Sequence, residues 1–513
     1  MLLSVIVETS RAVTATSSRT AKVTHLAAAL RAAAAQDPGR VGAVASYLSG
    51  SLPQRRTGVS WRSLTELPTP AEQATLTVAE LDDAAERLTR TSGSGSAAAR
   101  ARLVKGLFCR ATDDEQAWLR AVFVGEARQG AGDGIMLQAI ARAADVPDAT
   151  VRRAVMLAGR TGPVAAAALT GGAAALDAIE LEVGRPLRPM LAASAPDVAG
   201  ALATLEGEVA IETKLDGIRL QAHLDDGAVG LFTRTLEDVT DRLLEIVDVL
   251  HALPVRRAVL DGEVIALGEG GRPLPFQVTG ARTASSADPQ RLRAEVPLTA
   301  YFFDLLHLDG ADLLDRPLGQ RWDRLAALAP AEQLVPRITT ADPVAAQAFF
   351  DEVVAAGHEG IVVKDLHRPY AAGRRSPGWV KVKPRHTLDL VVLAVEWGSG
   401  RRQGWLSNIH LGARDAETGG LVMLGKTFKG MSDEMLRWQT ARFRELAIGD
   451  PDAGWVAQLR PEQVVEVAFD GVQRSSRYPG GMALRFARVL RYRDDKPVSQ
   501  IDTVQTVRLL AGW

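Results

Sequence analysis

Residues 212–219 read Glu212-Thr213-Lys214-Leu215-Asp216-Gly217-Ile218-Arg219. They lie between two runs that read as β-strands, Glu208–Ile211 and Leu220–Leu224. The lysine therefore falls at a strand end or in the turn beyond it, and Asp216-Gly217 supplies turn chemistry there. A lone Lys-x-Asp-Gly arises by chance in roughly one chain in ten of this length, so its meaning depends on its partners further along the chain.

On the amino-terminal side the texture is helical. Alanine and leucine recur at helical spacing in Lys22–Ala35, Val78–Thr89, Ala97–Ala111 and Asp114–Val124. Either Asp148 or Thr150 is placed to cap a helix through Val151–Ala158. Ser92-Gly93-Ser94-Gly95-Ser96 reads as a linker or a helix-to-helix turn. Gln54-Arg55-Arg56 and Arg128-Gln129-Gly130 are candidate phosphate contacts or solvated surface. Arg185-Pro186-Leu187-Arg188-Pro189-Met190 is broken by proline and marks a boundary. Beyond it strands dominate, with helical segments such as Val239–Ala252 and Ala345–Ala356 between them. From about Asp389 short strands and turns suggest a compact β-barrel: Leu388–Trp397, Leu421–Leu424, Val464–Phe469 and Arg485–Tyr492.

The chain has 513 residues, enough for about three domains. It is 47% hydrophobic and 24% charged with a net charge of −1, so any basic surface must be local. The single cysteine, Cys109, excludes an internal disulfide and a Cys-cluster zinc site, and a buried, inert thiol is expected. Met1–Val7 has no basic flank and does not read as a signal peptide; Val164–Ile179 is too short and interrupted to span a membrane. The expectation is a soluble, cytoplasmic protein.

Chemistry begins with Lys214. Holding a lysine neutral at pH 7 costs roughly 4–5 kcal/mol unless nearby cations and burial help. Trp379-Val380-Lys381-Val382-Lys383 offers such cations, and strand alternation places Lys381 and Lys383 on one face. Glu263, in Leu260-Asp261-Gly262-Glu263, and Glu359, before Gly360-Ile361-Val362-Val363-Lys364, are acidic residues at strand ends. Either can accept a ribose hydroxyl, hold a hydrated Mg²⁺, or simply form a turn. Phe303, in Tyr301-Phe302-Phe303-Asp304-Leu305, can stack on a purine or pack in a core. Arg485-Phe486-Ala487-Arg488 and Arg491-Tyr492-Arg493-Asp494-Asp495-Lys496 form a basic run suited to phosphate clamping or to a solvated face.

Gly420-Leu421-Val422-Met423-Leu424-Gly425-Lys426-Thr427 matches the P-loop pattern in letters. Its variable positions read as a buried strand rather than a flexible turn, and Phe428-Lys429-Gly430 does not start a helix. The eight histidines show no metal-ligand spacing.

The ordered series resembles the ATP-dependent DNA ligases, especially the actinobacterial B-type enzymes of the covalent nucleotidyltransferase superfamily. It runs from Lys-x-Asp-Gly-x-Arg at Lys214 through Thr233-Arg234-Thr235, Glu263, Phe303-Asp304, Glu359 and Trp-x-Lys-x-Lys ending at Lys383 to Arg-x-Asp-Lys at Arg493–Lys496. The stretches Val472–Tyr478 and Met482–Phe486 resemble the family too. The gap between Arg488 and Arg493 is longer than the family pattern.

The resemblance implies a multidomain chain: an all-α DNA-binding domain over 1–183, an α+β adenylation domain over 184–386 and a C-terminal OB-fold β-barrel over 387–513. It implies nick sealing in repair, recombination or replication through a lysyl-AMP on Lys214 and a DNA-adenylate. Glu212, Arg219, Arg234, Glu263, Phe303, Arg375, Lys381, Lys383, Arg493 and Lys496 would bind ATP, and Glu263 and Glu359 would hold Mg²⁺ or Mn²⁺. The partner would be nicked double-stranded DNA, gripped or encircled by a monomer in the nucleoid. An RNA ligase or GTP-using capping enzyme of the same superfamily, and a binding scaffold with a dead site, are the rival readings.

Overall fold

The structure, a computed structural model, describes residues 1–54, 57–127, 129–371 and 375–511, without the side chains of 375–377. It divides into two compact units, Met1–Val382 and Lys383–Trp513.

The first part of the larger unit is helical. Helices Arg19–Gln36, Val78–Arg90, Ser96–Phe108 and Asp113–Phe123 form where the alanine and leucine spacing predicts them. Two begin with reciprocal capping boxes: Thr77 Oγ1 accepts from Glu80 N–H, and Glu80 Oε2 accepts from Thr77 N–H at 2.9 Å; Thr112 and Glu115 repeat the arrangement. The Ser92–Ser96 stretch is a turn between helices. Leu26, Leu30, Val44, Tyr47, Phe108, Leu119 and Ile140 share one core. Helices Val41–Leu48 and Thr161–Asp177 touch backbone to backbone at two glycines; a Cβ on Gly162 would stand 2.8 Å from Gly42 O.

Two expectations about helices and one about the cysteine are corrected. Neither Asp148 nor Thr150 caps the helix Asp148–Ala158; Pro147 holds the cap position, and Asp148, inside the first turn, pairs with Arg152 instead. The helix expected over Val239–Ala252 is a short 3₁₀ turn, Thr240–Arg242, followed by Leu244–His251. Cys109 is exposed, because it is the cap residue that follows helix Ser96–Phe108 and lies beyond its buried face.

The rest of this unit is built on two five-stranded sheets. One runs, in spatial order, Leu191–Ser194, Arg375–Val382, Gly360–Asp365, Val209–Lys214 and Arg337–Thr340. The other runs Ala228–Thr233, Ile218–Asp225, Arg257–Ala266, Leu298–Leu308 and Ala311–Asp312. The turn Leu215-Asp216-Gly217 carries the chain from the first sheet to the second. Arg188 ties the Pro-rich boundary to the helices: its guanidinium donates to Gly159 O at 3.1 Å and Thr161 Oγ1 at 2.7 Å and pairs with Asp133.

The smaller unit is sheet-rich. Its main sheet has the order Leu421–Thr427, Leu406–Arg414, His386–Trp397, Val464–Phe469 and Arg488–Tyr492, with Val456–Gln458 also pairing His386–Trp397. Helix Asp433–Leu446 contributes Leu436, Phe443 and Leu446 to the same core as the sheet. Among the described residues no sheet closes on itself. The run expected as one strand over Arg485–Tyr492 is broken at Phe486, whose φ of +54° turns the chain, so Met482–Arg485 pairs with Gly471–Arg474 as a separate hairpin. Gly420–Thr427 carries the strand Leu421–Thr427, as its apolar positions require, and not a phosphate loop. Among the described residues, no helix is long and apolar enough to cross a membrane.

Candidate active site

Lys214 is the last residue of the strand Val209–Lys214. Val209 and Ile211 point into the core with Ile361, Val363, Val380 and Val382. Alternation then turns Ala210, Glu212 and Lys214 to the opposite face. The register aligns Glu212 with Val362, and Val362 with Lys381, so Lys381 shares that face with Lys214. Lys214 O accepts from Glu359 N–H at 3.1 Å, which brings the Glu359 side chain back onto the lysine; its carboxylate is ion-paired with Lys214 Nζ. The residue type at Gly217 is dictated by space: a Cβ there would stand 2.2 Å from Val264 O and 2.4 Å from Ile265 Cγ2.

Glu263 lies directly across from Arg219 in the second sheet. Burial pushes its carboxyl up to about 7, against the pull of Lys214 and Arg219 and with the help of Asp261 and Glu359. The Arg219 guanidinium is clamped by both oxygens of Asp261, at 2.6 Å each, and lies 4.6 Å from the Phe303 ring centre. Phe303 is only 8% exposed and meets Trp379 edge to face at 6.0 Å. Its ring also carries Lys364 Nζ at 4.5 Å.

Glu212 is 2% exposed and stands between two cations. Lys364 is ion-paired with Glu212 Oε2, and Arg337 Nη1 lies 3.8 Å from Glu212 Oε1. Burial drives the Glu212 carboxyl up and the Lys364 amine down; each is partly countered by the other's charge. Asp304, whose charge acts on both, forms a fully buried bidentate pair with Arg321, at 2.7 and 2.8 Å.

The other expected residues are distributed differently. Arg234 is exposed, next after the strand Ala228–Thr233. Arg375 opens the strand Arg375–Val382 by its backbone, and its side chain lies outside the described residues, as do Arg55, Arg56 and Arg128. In the smaller unit Lys383 Nζ lies 3.3 Å from Asp470, which Arg488 also approaches at 3.6 Å. Arg493 and Lys496 both reach Asp389, at 3.1 and 2.7 Å, and Arg493 also pairs with Asp495.

Sequence reasoning missed Asp261, Tyr370, Lys364 and Arg337. Tyr370 donates to Asp261 Oδ2 at 2.7 Å and accepts from Met190 N–H at 2.9 Å. Asp261 and Lys364 stand inside the stretches that hold Glu263 and Glu359, but only strand register shows which charge each one meets. Among the described residues no three His, Cys, Asp or Glu side chains cluster to cage a metal. Glu263 and Glu359, whose charges act on one another beside Lys214, instead suit a hard cation that takes one or two carboxylates and completes its shell from phosphates.

The chain matches three family models: "DNA ligase N terminus" over residues 61–141, "ATP dependent DNA ligase domain" over 189–383 and "ATP dependent DNA ligase C terminal region" over 402–496. It is 60% identical to a probable DNA ligase of Nocardioides sp., covering 100% of this chain and 99% of that one. It is 56% identical to DNA ligase B of Mycobacterium tuberculosis, covering 99% of this chain and 100% of that one. The solved structure of Pmar-Lig_PreS3 has a like fold, with a TM-score of 0.63 at 20% identity over 95% of this chain and 99% of that one.

Proposed function

The chain belongs to the ATP-dependent DNA ligases, and from that premise we propose how its residues divide the work of sealing nicks in duplex DNA. Lys214 Nζ attacks the α-phosphorus of ATP; a P–N bond forms, the bond to pyrophosphate breaks, and AMP stays on the lysine. The AMP then passes to the 5′-phosphate of the nick. Attack by the 3′-hydroxyl on that phosphate makes the phosphodiester and releases AMP.

The observation that carries this reading is the position of Lys214. It ends a strand at the junction of two sheets, with its Nζ against Glu359 and with its charge acting on Glu263. Glu263 and Glu359 would hold Mg²⁺, or Mn²⁺ in its place, and the ion would neutralise phosphate charge. Glu263 would also meet the ribose. Lys381, on the lysine's own sheet face, would stabilise the charge that develops on the α-phosphate, and Lys383 would join it. Arg219 and Arg234 would contact the nucleotide or the nick phosphate, and Arg219 enters that role already aimed by Asp261. Glu212 would read the adenine edge, and Phe303 would line the base pocket. Arg375 would lie near the nucleotide. Arg493 and Lys496 would orient the leaving pyrophosphate, which requires movement of the smaller unit between steps.

The domains would be 1–183, 184–386 and 387–513, the last an OB-fold. The protein would act as a monomer around nicked DNA, in the nucleoid of the cytoplasm. The test is incubation with ATP labelled at the α-phosphate, then denaturing electrophoresis, for wild type and Lys214→Ala. Wild type should hold the label and discharge it onto nicked DNA, and the variant should hold none. Label retained by Lys214→Ala would reject the assignment.

A further inference from the structure

Three buried polar atoms at the base-reading end of the site lack a hydrogen-bond partner among the described residues; Lys364 Nζ is ion-paired with Glu212 Oε2, and the other two have opposite character. Glu212 Oε1 is an acceptor without a donor. Arg337 Nη1 is a donor without an acceptor. They lie 3.8 Å apart, too far for a hydrogen bond to one another and close enough for one small planar edge to satisfy both. The register aligns the two residues directly across adjacent antiparallel strands, Val209–Lys214 and Arg337–Thr340. Neither side chain is free to turn away. Glu212 is anchored through its other oxygen by Lys364, and the Arg337 guanidinium lies 4.0 Å from the Trp322 ring centre.

We propose that Arg337 is a specificity-determining residue for the nucleotide: its Nη1 donates to N1 of adenine while Glu212 Oε1 accepts from the 6-amino group. This deepens the proposed role of Glu212 and rests on it. The chemistry separates the purines. Adenine presents a donor at position 6 beside an acceptor at N1, which complements a carboxylate beside a guanidinium. Guanine presents an acceptor at O6 beside a donor at N1, so both contacts become repulsive. Lys364 supports the choice by pairing with Glu212 Oε2, which holds the carboxylate in place. A site with both polar atoms buried rejects an analogue that leaves one of them unpaired far more strongly than an open site does.

The experiment measures formation of the lysyl-adenylate by wild type, Arg337→Met, Arg337→Lys and Glu212→Gln, with ATP, 1-deaza-ATP, 7-deaza-ATP, GTP and purine riboside triphosphate. Circular dichroism and a thermal melt confirm that each variant is folded. Wild type should use 1-deaza-ATP roughly 10- to 100-fold less efficiently than ATP, and 7-deaza-ATP about as well as ATP. Arg337→Met should lose a similar factor with ATP, mainly in KM, and should no longer distinguish ATP from 1-deaza-ATP. Arg337→Lys should recover part of the loss. A folded Arg337→Met that still penalises 1-deaza-ATP as wild type does would overturn the proposal. So would a wild type that penalises 7-deaza-ATP rather than 1-deaza-ATP. If Arg337→Met cannot be folded, a wild type indifferent to 1-deaza-ATP overturns the proposal by itself. Purine riboside triphosphate lacks the 6-amino group, so it probes Glu212 separately. If Glu212→Gln responds to its absence as wild type does, the reading of Glu212 fails, whatever the N1 series shows.

Discussion

Asp261 grips the guanidinium of Arg219 with both carboxylate oxygens, 2.6 Å from each donor, at a position where Asp261 is fully buried. Tyr370 donates to the same carboxylate at 2.7 Å. In its proposed role Arg219 would enter the reaction already oriented, and its side chain would lose little freedom when a phosphate or nucleotide arrives. Asp261→Asn keeps the volume but removes the charge and one acceptor. It should lower lysyl-adenylate formation or its discharge onto nicked DNA by roughly 10- to 100-fold and lower stability by about 3 kcal/mol, because Arg219 is left partly buried without its partner. Tyr370→Phe should have a smaller effect in the same direction. Single-turnover kinetics and urea melts measure both. An Asp261→Asn enzyme with wild-type rates would remove Asp261 from this role.

Gly217 should tolerate no side chain. A Cβ would stand 2.2 Å from the backbone oxygen of Val264, in the very strand that carries Glu263. Gly217→Ala must push the turn after Lys214 away from that strand, and a shift of about 1 Å at a reacting group can cost roughly 100-fold in rate. The expected outcome is a folded protein with far weaker α-phosphate labelling. Full labelling would show that the turn can move without harm.

His223 should make the larger unit sensitive to acid. It is buried, its Nδ1 accepts from Gly184 N–H at 2.9 Å, and its Nε2 shares a 2.9 Å hydrogen bond with Gln221 Oε1. A second proton would have to sit on Nδ1, facing an N–H donor. Burial lowers the imidazole to about 3, below its value of about 6.5 in an unfolded chain. The unfolded state thus binds more protons between these values, and stability falls as pH drops below about 6.5. The contribution from this group should fall by about 2 kcal/mol between pH 7 and pH 5. Urea melts at the two pH values measure it, and His223→Gln should flatten the difference. An equal pH slope in the variant would assign the effect to other groups.

Affinity for nicked DNA should fall steeply with salt. The net charge of −1 gives no overall attraction, so binding must come from local contacts with phosphates. Raising salt from 50 to 200 mM should weaken binding by on the order of 10³-fold if about six phosphates are neutralised. Fluorescence anisotropy with a nicked duplex reads this directly, and a flat response would reject a grip based on phosphates.

The local chemistry of this protein was written in its sequence. Lys214 falls at a strand end because β-formers precede it and Asp216-Gly217 turns the chain after it. The amino-terminal helices follow from periodicity and from capping pairs such as Thr77 with Glu80. The false P-loop was legible as a strand because Leu421–Leu424 is apolar where a phosphate cradle needs freedom. Only the tertiary structure decided which charges meet. Glu212, Arg337 and Lys364 are far apart in the chain and come together through the pairing of three strands. Asp261, aligned with Gln221 on the neighbouring strand, meets Arg219 diagonally, and Tyr370 reaches that pair from a loop. Periodicity specifies the face of one strand, but register depends on how whole sheets pack, and a slip of one residue would turn the strand-borne side chains among these to the opposite face.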